Sequence, residues 1–430
     1  MGNINVGQTA RLRCYIEPNG SLGTNHSGTI ADFWDVPAIE GSIDLKVDPK
    51  NIEKKYLRQN RDQWAGMLRG IGTATLSFEV PWFFSAIRSA SGGSPAAIAA
   101  TPTSKLLAAW LGGCALGTSM DANASCTASL IKTSDYANAA EGCGVAWKNA
   151  SGKLEARTVV DIDGSNDLTL DQALSAAPTA ADIIYRGIDL YLADRTKTAC
   201  TSFQFILSGV EYEEDAWLLR AGQCLVAPTL TLKNGERPTW KFTIEFAAYS
   251  RIDAVLLSNS NVTYTNVNEV LVSDGIFTAW AINTAAPITP VAIKTGIAVS
   301  ECSFDFANSK RIPITTPGGV GNVAHYMVVG DSPKVTGKFR CPWEEDDQTW
   351  LDLMVSQGKI ALNLQIGSSY TQGCGLIRVA AAEITDWQRV TNNGILEQEI
   401  SWSAVLDMMH DTGIDTATEL ANSPFKLYMF

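Results

Sequence analysis

Two stretches of this sequence repeat each other at a fixed spacing, and that repeat restricts the fold more than any single motif. Ser42-Ile43-Asp44-Leu45 opens one stretch and Pro81-Trp82 closes it; Ser303-Phe304-Asp305-Phe306 and Pro342-Trp343 do the same 261 residues later. Phe78 falls on Phe339 at that offset, and a short segment holding a Trp (Trp110, Trp350) and closed by Gly follows each Pro-Trp pair. At 430 residues the chain is too long for one comfortable core, which agrees with two related units in tandem. From Trp82 to Gly235 is 153 residues, but from Trp343 to Gly394 only 51, so the first unit carries about 102 more before its closing turn.

Within these units the pattern is that of strands. Trp240, Phe242, Ile244 and Phe246 alternate with Lys241, Thr243 and Glu245, which puts one set on each face of an extended chain. The same period of two runs through Ile43, Leu45, Val47; Leu76, Phe78, Val80; Leu362, Leu364, Ile366; and Leu396, Gln398, Ile400, Trp402. Asn234-Gly235 and Asn393-Gly394 lie between such runs, where a tight hairpin needs residues that tolerate positive φ. Helical signals are short: Lys105 to Leu111, ended by Gly112-Gly113, and Asp346 to Gln357, ended by Gly358. The acidic run Glu344, Glu345, Asp346, Asp347 suits the positive end of that second helix better than a metal or catalytic cluster.

The expected fold class is therefore all-β with short helices. Residues 1–255 form a first unit with an insertion at about 113–201, 256–290 connect, and 291–430 form the second unit. The insertion is rich in Ala, Ser, Thr and Gly but keeps strand-like Leu154 to Ile162 and Ile183 to Leu192, so it reads as a small appended β element. Trp82 and Trp343, at strand ends, are expected in the core.

Composition narrows the function. With 45 acidic and 33 basic residues the formal charge is −12, so the protein as a whole cannot hold a polyanion electrostatically. No run of 18 apolar residues exists and Met1 to Val6 has neither a basic nor an apolar leader pattern, so neither membrane insertion nor secretion is expected. Phe430 after Tyr428 matches the end of an outer-membrane barrel, a reading set aside without an export signal. The nine Cys (14, 114, 126, 143, 200, 224, 302, 341, 374) are odd in number and contain no C-x-x-C, which points to reduced, mostly buried thiols rather than zinc or a full disulfide framework.

Catalytic constellations are missing. His26, His325 and His410 belong to no metal or nucleophile motif, and Gly319-Val320-Gly321 lacks the third glycine and the strand-to-helix setting of a phosphate loop. Asp161 with Asp163, and Glu211 with Glu213 and Glu214, read as solvated turns and strand faces. No enzyme activity and no cofactor are expected.

Charge is informative locally. Lys46 to Gly70 holds seven basic residues (Lys46, Lys50, Lys54, Lys55, Arg58, Arg61, Arg69) against Asp48, Glu53 and Asp62, a balance of +4. The equivalent stretch Ala307 to Lys334 has Lys310, Arg311 and Lys334 against Asp331, a balance of +2, which leaves −18 for the remainder. Long connections in compact domains are usually functional, and these carry apolar anchors such as Trp64 and Tyr326 that free loops do not need. They read as binding arms for an acidic copy of the same protein; the alternative is a solvated hairpin lying on its own unit.

Leu68-Arg69-Gly70-Ile71-Gly72-Thr73-Ala74-Thr75-Leu76-Ser77-Phe78-Glu79-Val80 with Leu106 to Leu111, and Ser332-Pro333-Lys334-Val335-Thr336-Gly337-Lys338-Phe339-Arg340 with Trp350 to Gly358 and Ile360 to Gly367, resemble the tail tube (major tail) proteins of long-tailed, non-contractile bacteriophages. The resemblance implies two tandem β-sandwich or half-barrel domains, each flanked by a short helix, whose inner sheets join those of neighbours into a β-lined tube. It implies a virion protein, assembled in the host cytoplasm, that stacks as rings and conducts DNA without binding it specifically. Three doubled subunits would make a pseudo-hexameric ring, or six a hexameric one, with a tape measure protein and tail-end proteins as further partners. A long loop in this family reaches toward the adjacent ring, which makes Lys50, Lys54, Lys55, Arg58, Arg61, Trp64, Lys310, Arg311 and Tyr326 the expected inter-ring contacts. A capsid decoration protein or glycan-binding module is the alternative.

Overall fold

The computed structural model describes residues 10–17, 33–48, 51–56, 63–69, 73–82, 102–165, 167–192, 202–209, 216–233, 235–252, 276–281, 291–297, 299–306, 311–314, 326–329, 334–344, 348–371, 373–392, 394–405 and 419–430. His26, His325, His410 and Gly319 to Gly321 lie outside them.

The chain is mostly β. It begins with β1 (Ala10–Glu17), β2 (Trp34–Val36), β3 (Asp44–Asp48), β4 (Asn51–Tyr56), β5 (Gln63–Arg69), β6 (Thr73–Pro81) and helix α1 (Pro102–Leu111). Next come β7 (Gly112–Leu116), β8 (Met120–Asp121), β9 (Leu130–Ile131), β10 (Gly144–Lys148), β11 (Leu154–Ile162), β12 (Leu168–Leu170), β13 (Ile183–Tyr185) and β14 (Ile188–Leu192), followed by β15 (Ser202–Gly209), β16 (Ala216–Lys233) and β17 (Thr239–Ile252). Then follow β18 (Ile276–Ala281), β19 (Val291–Ile297), β20 (Glu301–Asp305), β21 (Arg311–Ile314), β22 (Tyr326–Val329), β23 (Thr336–Pro342), α2 (Thr349–Ser356), β24 (Lys359–Ser369), β25 (Gly373–Asn392), β26 (Ile395–Val405), α3 (Glu419–Asn422) and β27 (Phe425–Met429).

The strand pairings run through the same order twice. In the N-terminal half the neighbours are β2-β1-β15-β16-β17-β6-β3, all antiparallel. In the C-terminal half they are β19-β18-β24-β25-β26-β23-β20, again all antiparallel. Single hydrogen bonds keep the 261-residue offset. The Ile39 N–H donates to the Glu79 carbonyl at 2.8 Å and the Ser300 N–H to the Arg340 carbonyl at 3.0 Å. The halves are joined where the end of β16 pairs with β20, Leu230 opposite Phe304 and Lys233 opposite Glu301. Phe306 seals that joint, its ring 4.8 Å from Trp110, 6.3 Å from Trp240 and 4.7 Å from Phe425. Strand β18 pairs with β24, so the expected connection 256–290 contains a strand of the second half.

Both Asn-Gly hairpins form: Gly235 and Gly394, each at φ +81°, turn β16 into β17 and β25 into β26. The alternation becomes a core, with Trp240, Phe242, Ile244 and Phe246 buried on one face of β17 and Phe78 stacked on Phe242 at 5.5 Å. Helix α2 starts three residues later than the sequence suggests, and the residue in the left-handed region that ends it is Gln357 (φ 55°), not Gly358. Gly358 closes the helix through its N–H, which donates to the Leu353 carbonyl at 2.9 Å.

The two strand-end tryptophans differ. Trp82 is buried against Trp240, ring centroids 6.2 Å apart, whereas Trp343 stays half-buried beneath the Arg389 guanidinium at 4.5 Å. The expectation that both are core residues holds for Trp82 alone. Trp82→Ala should cost about 3–5 kcal/mol by chemical denaturation. Trp343→Ala should cost about 1 kcal/mol, since mainly a partly solvated cation–π contact is lost.

The insertion is two things. Residues 120–185 hold a separate six-stranded sheet in the order β8-β13-β10-β11-β12-β9. Strands β7 and β14 at its borders belong to the large sheet, where β14 pairs with β7 and with β27. The expected strand Ile183 to Leu192 is therefore two strands in different sheets. The break falls at Gly187, where a Cβ would collide with the Met429 carbonyl oxygen.

Candidate assembly interface

Each half sends out a two-stranded ribbon at the same point of its topology. After β3, strands β4 and β5 pair with each other, Asn51 opposite Arg69 and Tyr56 opposite Gln63, before the chain returns as β6. After β20, β21 and β22 do the same, Arg311 opposite Val329 and Ile314 opposite Tyr326, before β23. Neither ribbon is hydrogen-bonded to the large sheet among the described residues. An isolated two-stranded ribbon is marginal in water, so such an arm gains stability when a surface covers it.

Five of the nine expected contact residues lie on these ribbons: Lys54 and Lys55 on β4, Trp64 on β5, Arg311 on β21 and Tyr326 on β22. Lys55 is opposite Trp64, and the register shifts between Glu53 and Lys55. Lys50, Arg58, Arg61 and Lys310 lie outside the described residues.

A second kind of surface is the sheet border. Among the described residues β3 pairs only with β6, so its other edge carries no strand. Residues 386–392 of β25 pair with β26 on one side, while β24 on the other side stops at Glu383. The nearby Ile395 and Leu396 are 60% and 40% exposed.

The insertion is fastened to the C-terminal half by buried polar groups. On β25, Arg378 Nη1 donates to Asp171 Oδ2 at 2.6 Å with both side chains fully buried, and Asp171 Oδ1 accepts the Thr158 N–H at 2.9 Å. Burial pushes the Asp171 carboxyl up, against the pull of Arg378. Gln365 on β24 takes the place of a missing strand: its Oε1 accepts the Ala156 N–H at 2.9 Å and its Nε2 donates to the Leu154 carbonyl at 2.8 Å. Arg186 and Asp189 form another buried pair at 2.7 Å, and the Tyr428 hydroxyl donates to the Gly142 carbonyl at 2.7 Å. Apart from Tyr428, which the sequence reading took only as part of a barrel-like ending, none of these residues stood out there. Their signal is a lone charge in an apolar strand, as in Leu376-Ile377-Arg378-Val379 and Ile188-Asp189-Leu190.

Glu155 predicts how this sheet responds to acid. Burial alone would raise its pKa, but bonds from the Ser175 hydroxyl and N–H and from Asn149 outweigh that and hold it below the ordinary carboxylate value. A depressed folded pKa contributes stability above the unfolded value, and that stability is lost as pH falls through the folded one. Urea midpoints taken at about pH 7 and about pH 3 should therefore converge in Glu155→Gln relative to the unmodified chain.

The remaining candidates resolve into structure. Asp163 Oδ1 accepts the N–H groups of Ser165 (2.8 Å) and Asp167 (2.9 Å), a turn rather than a cation site. Glu211, Glu213 and Glu214 lie outside the described residues. Cys14, Cys143, Cys302, Cys341 and Cys374 are buried, Cys126 is intermediate and Cys114 exposed; burial pushes Cys302 up and Cys114 up to about 11. Among the described residues no group of three or more His, Cys, Asp or Glu side chains could hold a metal ion, and no helix is long and apolar enough to cross a membrane. No protein-family model matches the chain, and no curated protein matches its sequence.

Proposed function

We propose that this protein is a structural subunit that polymerises with itself, as rings stacked into the tail tube of a bacteriophage, and that the tube conducts DNA at ejection. The observation that carries the reading is the doubled strand order with a basic, out-of-sheet ribbon at the same point of each half. A doubled chain supplies two tube domains per subunit, so three subunits build a pseudo-hexameric ring. The ribbons reach the acidic body of the next ring, and heterologous contacts let rings add without limit. The net charge of −12 suits a conduit, because an acidic wall repels passing DNA and keeps it from sticking.

Negative-stain electron microscopy of a concentrated sample tests this directly. Rings and hollow tubes are expected. Discrete monomers at high concentration would overturn the reading and favour a capsid decoration or glycan-binding module.

A further inference from the structure

We propose that the free end of β25 in one copy pairs with the free edge of β3 in the next, in the register that β16 and β20 use inside one chain. The proposal deepens the reading above and rests on it: it names the joint by which copies meet side by side.

The argument is one of equivalent positions. Gln398 and Glu397 of β26 pair with Arg389 and Val390, as Trp240 and Thr239 of β17 pair with Leu230 and Thr231. Arg389 to Asn392 is therefore the counterpart of Leu230 to Lys233. Asp44 and Leu45 pair with Ser77 and Leu76 of β6 as Ser303 and Phe304 pair with Lys338 and Gly337 of β23, so Ser42 to Leu45 is the counterpart of Glu301 to Phe304 in the first half. Within the chain the pairs are Leu230–Phe304, Thr231–Ser303, Leu232–Cys302 and Lys233–Glu301. Carried over, Arg389 lies opposite Leu45 of a second copy, Val390 opposite Asp44, Thr391 opposite Ile43 and Asn392 opposite Ser42. These are the two borders that no strand covers among the described residues.

Side chains at the borders agree. Phe304 and Phe306, covered at the inner joint, are 4% and 1% exposed, whereas their counterparts Leu45 and Val47 remain half-buried and gain cover from a neighbour. Where the inner joint has Leu230 and Leu232, the outer one has exposed Arg389 and Thr391. Polar residues on an open edge restrain uncontrolled pairing of lone subunits, so the outer joint forms after folding and only with the matching edge. The two edges differ, so the contact is head-to-tail and repeats the step between the halves until a ring closes.

The test is disulfide trapping in the full-length chain. Asp44→Cys with Val390→Cys should lose its monomer band on oxidation and give a ladder of covalent multimers on a non-reducing gel, with the oxidised unmodified chain as background for Cys114. Asp48→Cys with Val390→Cys, about 13 Å out of register at four residues, should stay at background. Each sample is also viewed by electron microscopy. Rings or tubes without the Asp44–Val390 cross-link would overturn the joint and leave the proposed function standing; absence of any assembly in the unmodified chain would overturn both. Equal trapping by the out-of-register pair, or dimers from Asp44→Cys alone, would also overturn the joint.

Discussion

A chain carrying Lys54→Glu, Lys55→Glu and Arg58→Glu is expected to fold normally and to fail to lengthen into tubes. The three reversals turn the balance of residues 46–70 from +4 to −2, while the rest of the molecule outside the two arms stays at −18. Attraction between ribbon and acidic body becomes repulsion, and an open-ended assembly stops at the first missing contact. Folding is spared because β4 and β5 pair with each other and stand outside the large sheet. Circular dichroism and thermal unfolding should match the unmodified chain, and single rings should persist. Tube growth of the unmodified protein should also weaken with salt, because charges beyond about 8 Å are screened at physiological ionic strength. Tubes of ordinary length from the triple variant would remove the ribbons from the inter-ring contact.

Arg378→Met is the second large effect, and it acts on stability. The guanidinium is completely buried in β25 and meets the equally buried Asp171 of the insertion at 2.6 Å. Removing it leaves a carboxylate in a low-dielectric interior, and breaking such a pair costs about 3–5 kcal/mol. The companion Asp171→Asn in the same chain removes the second charge yet keeps an acceptor for the Thr158 N–H, so part of the loss should return. Urea denaturation of the single and double variants measures both effects. A loss below about 1 kcal/mol would mean that water reaches the pair.

Most strands could be read from the sequence because a period of two is local. Trp240, Phe242, Ile244 and Phe246 declare a strand by themselves, and Asn393-Gly394 declares a hairpin. The ribbons were visible as basic excursions, though not as paired strands. Short elements were less legible. Gly187 looks like one residue within a single strand, and only the Met429 carbonyl packed against it explains why two sheets part there. Trp82 and Trp343 each follow the Pro that ends equivalent strands, yet only Trp82 has Trp240 beside it; the second half places Gln398 at the equivalent position.

By itself the sequence determined that the chain is built of strands and tight turns, that its plan occurs twice 261 residues apart, and that two basic excursions leave an acidic body. These follow from spacing and charge over a few neighbouring residues. Tertiary structure alone decided which strands lie side by side: that β16 bridges to β20, that β27 joins β25 to β14, and that Arg378 holds an insertion residue 207 positions away. The reason is physical. Every antiparallel strand offers the same backbone donors and acceptors, so choice of partner is settled by which edges remain open once the cores close, and no local pattern encodes that.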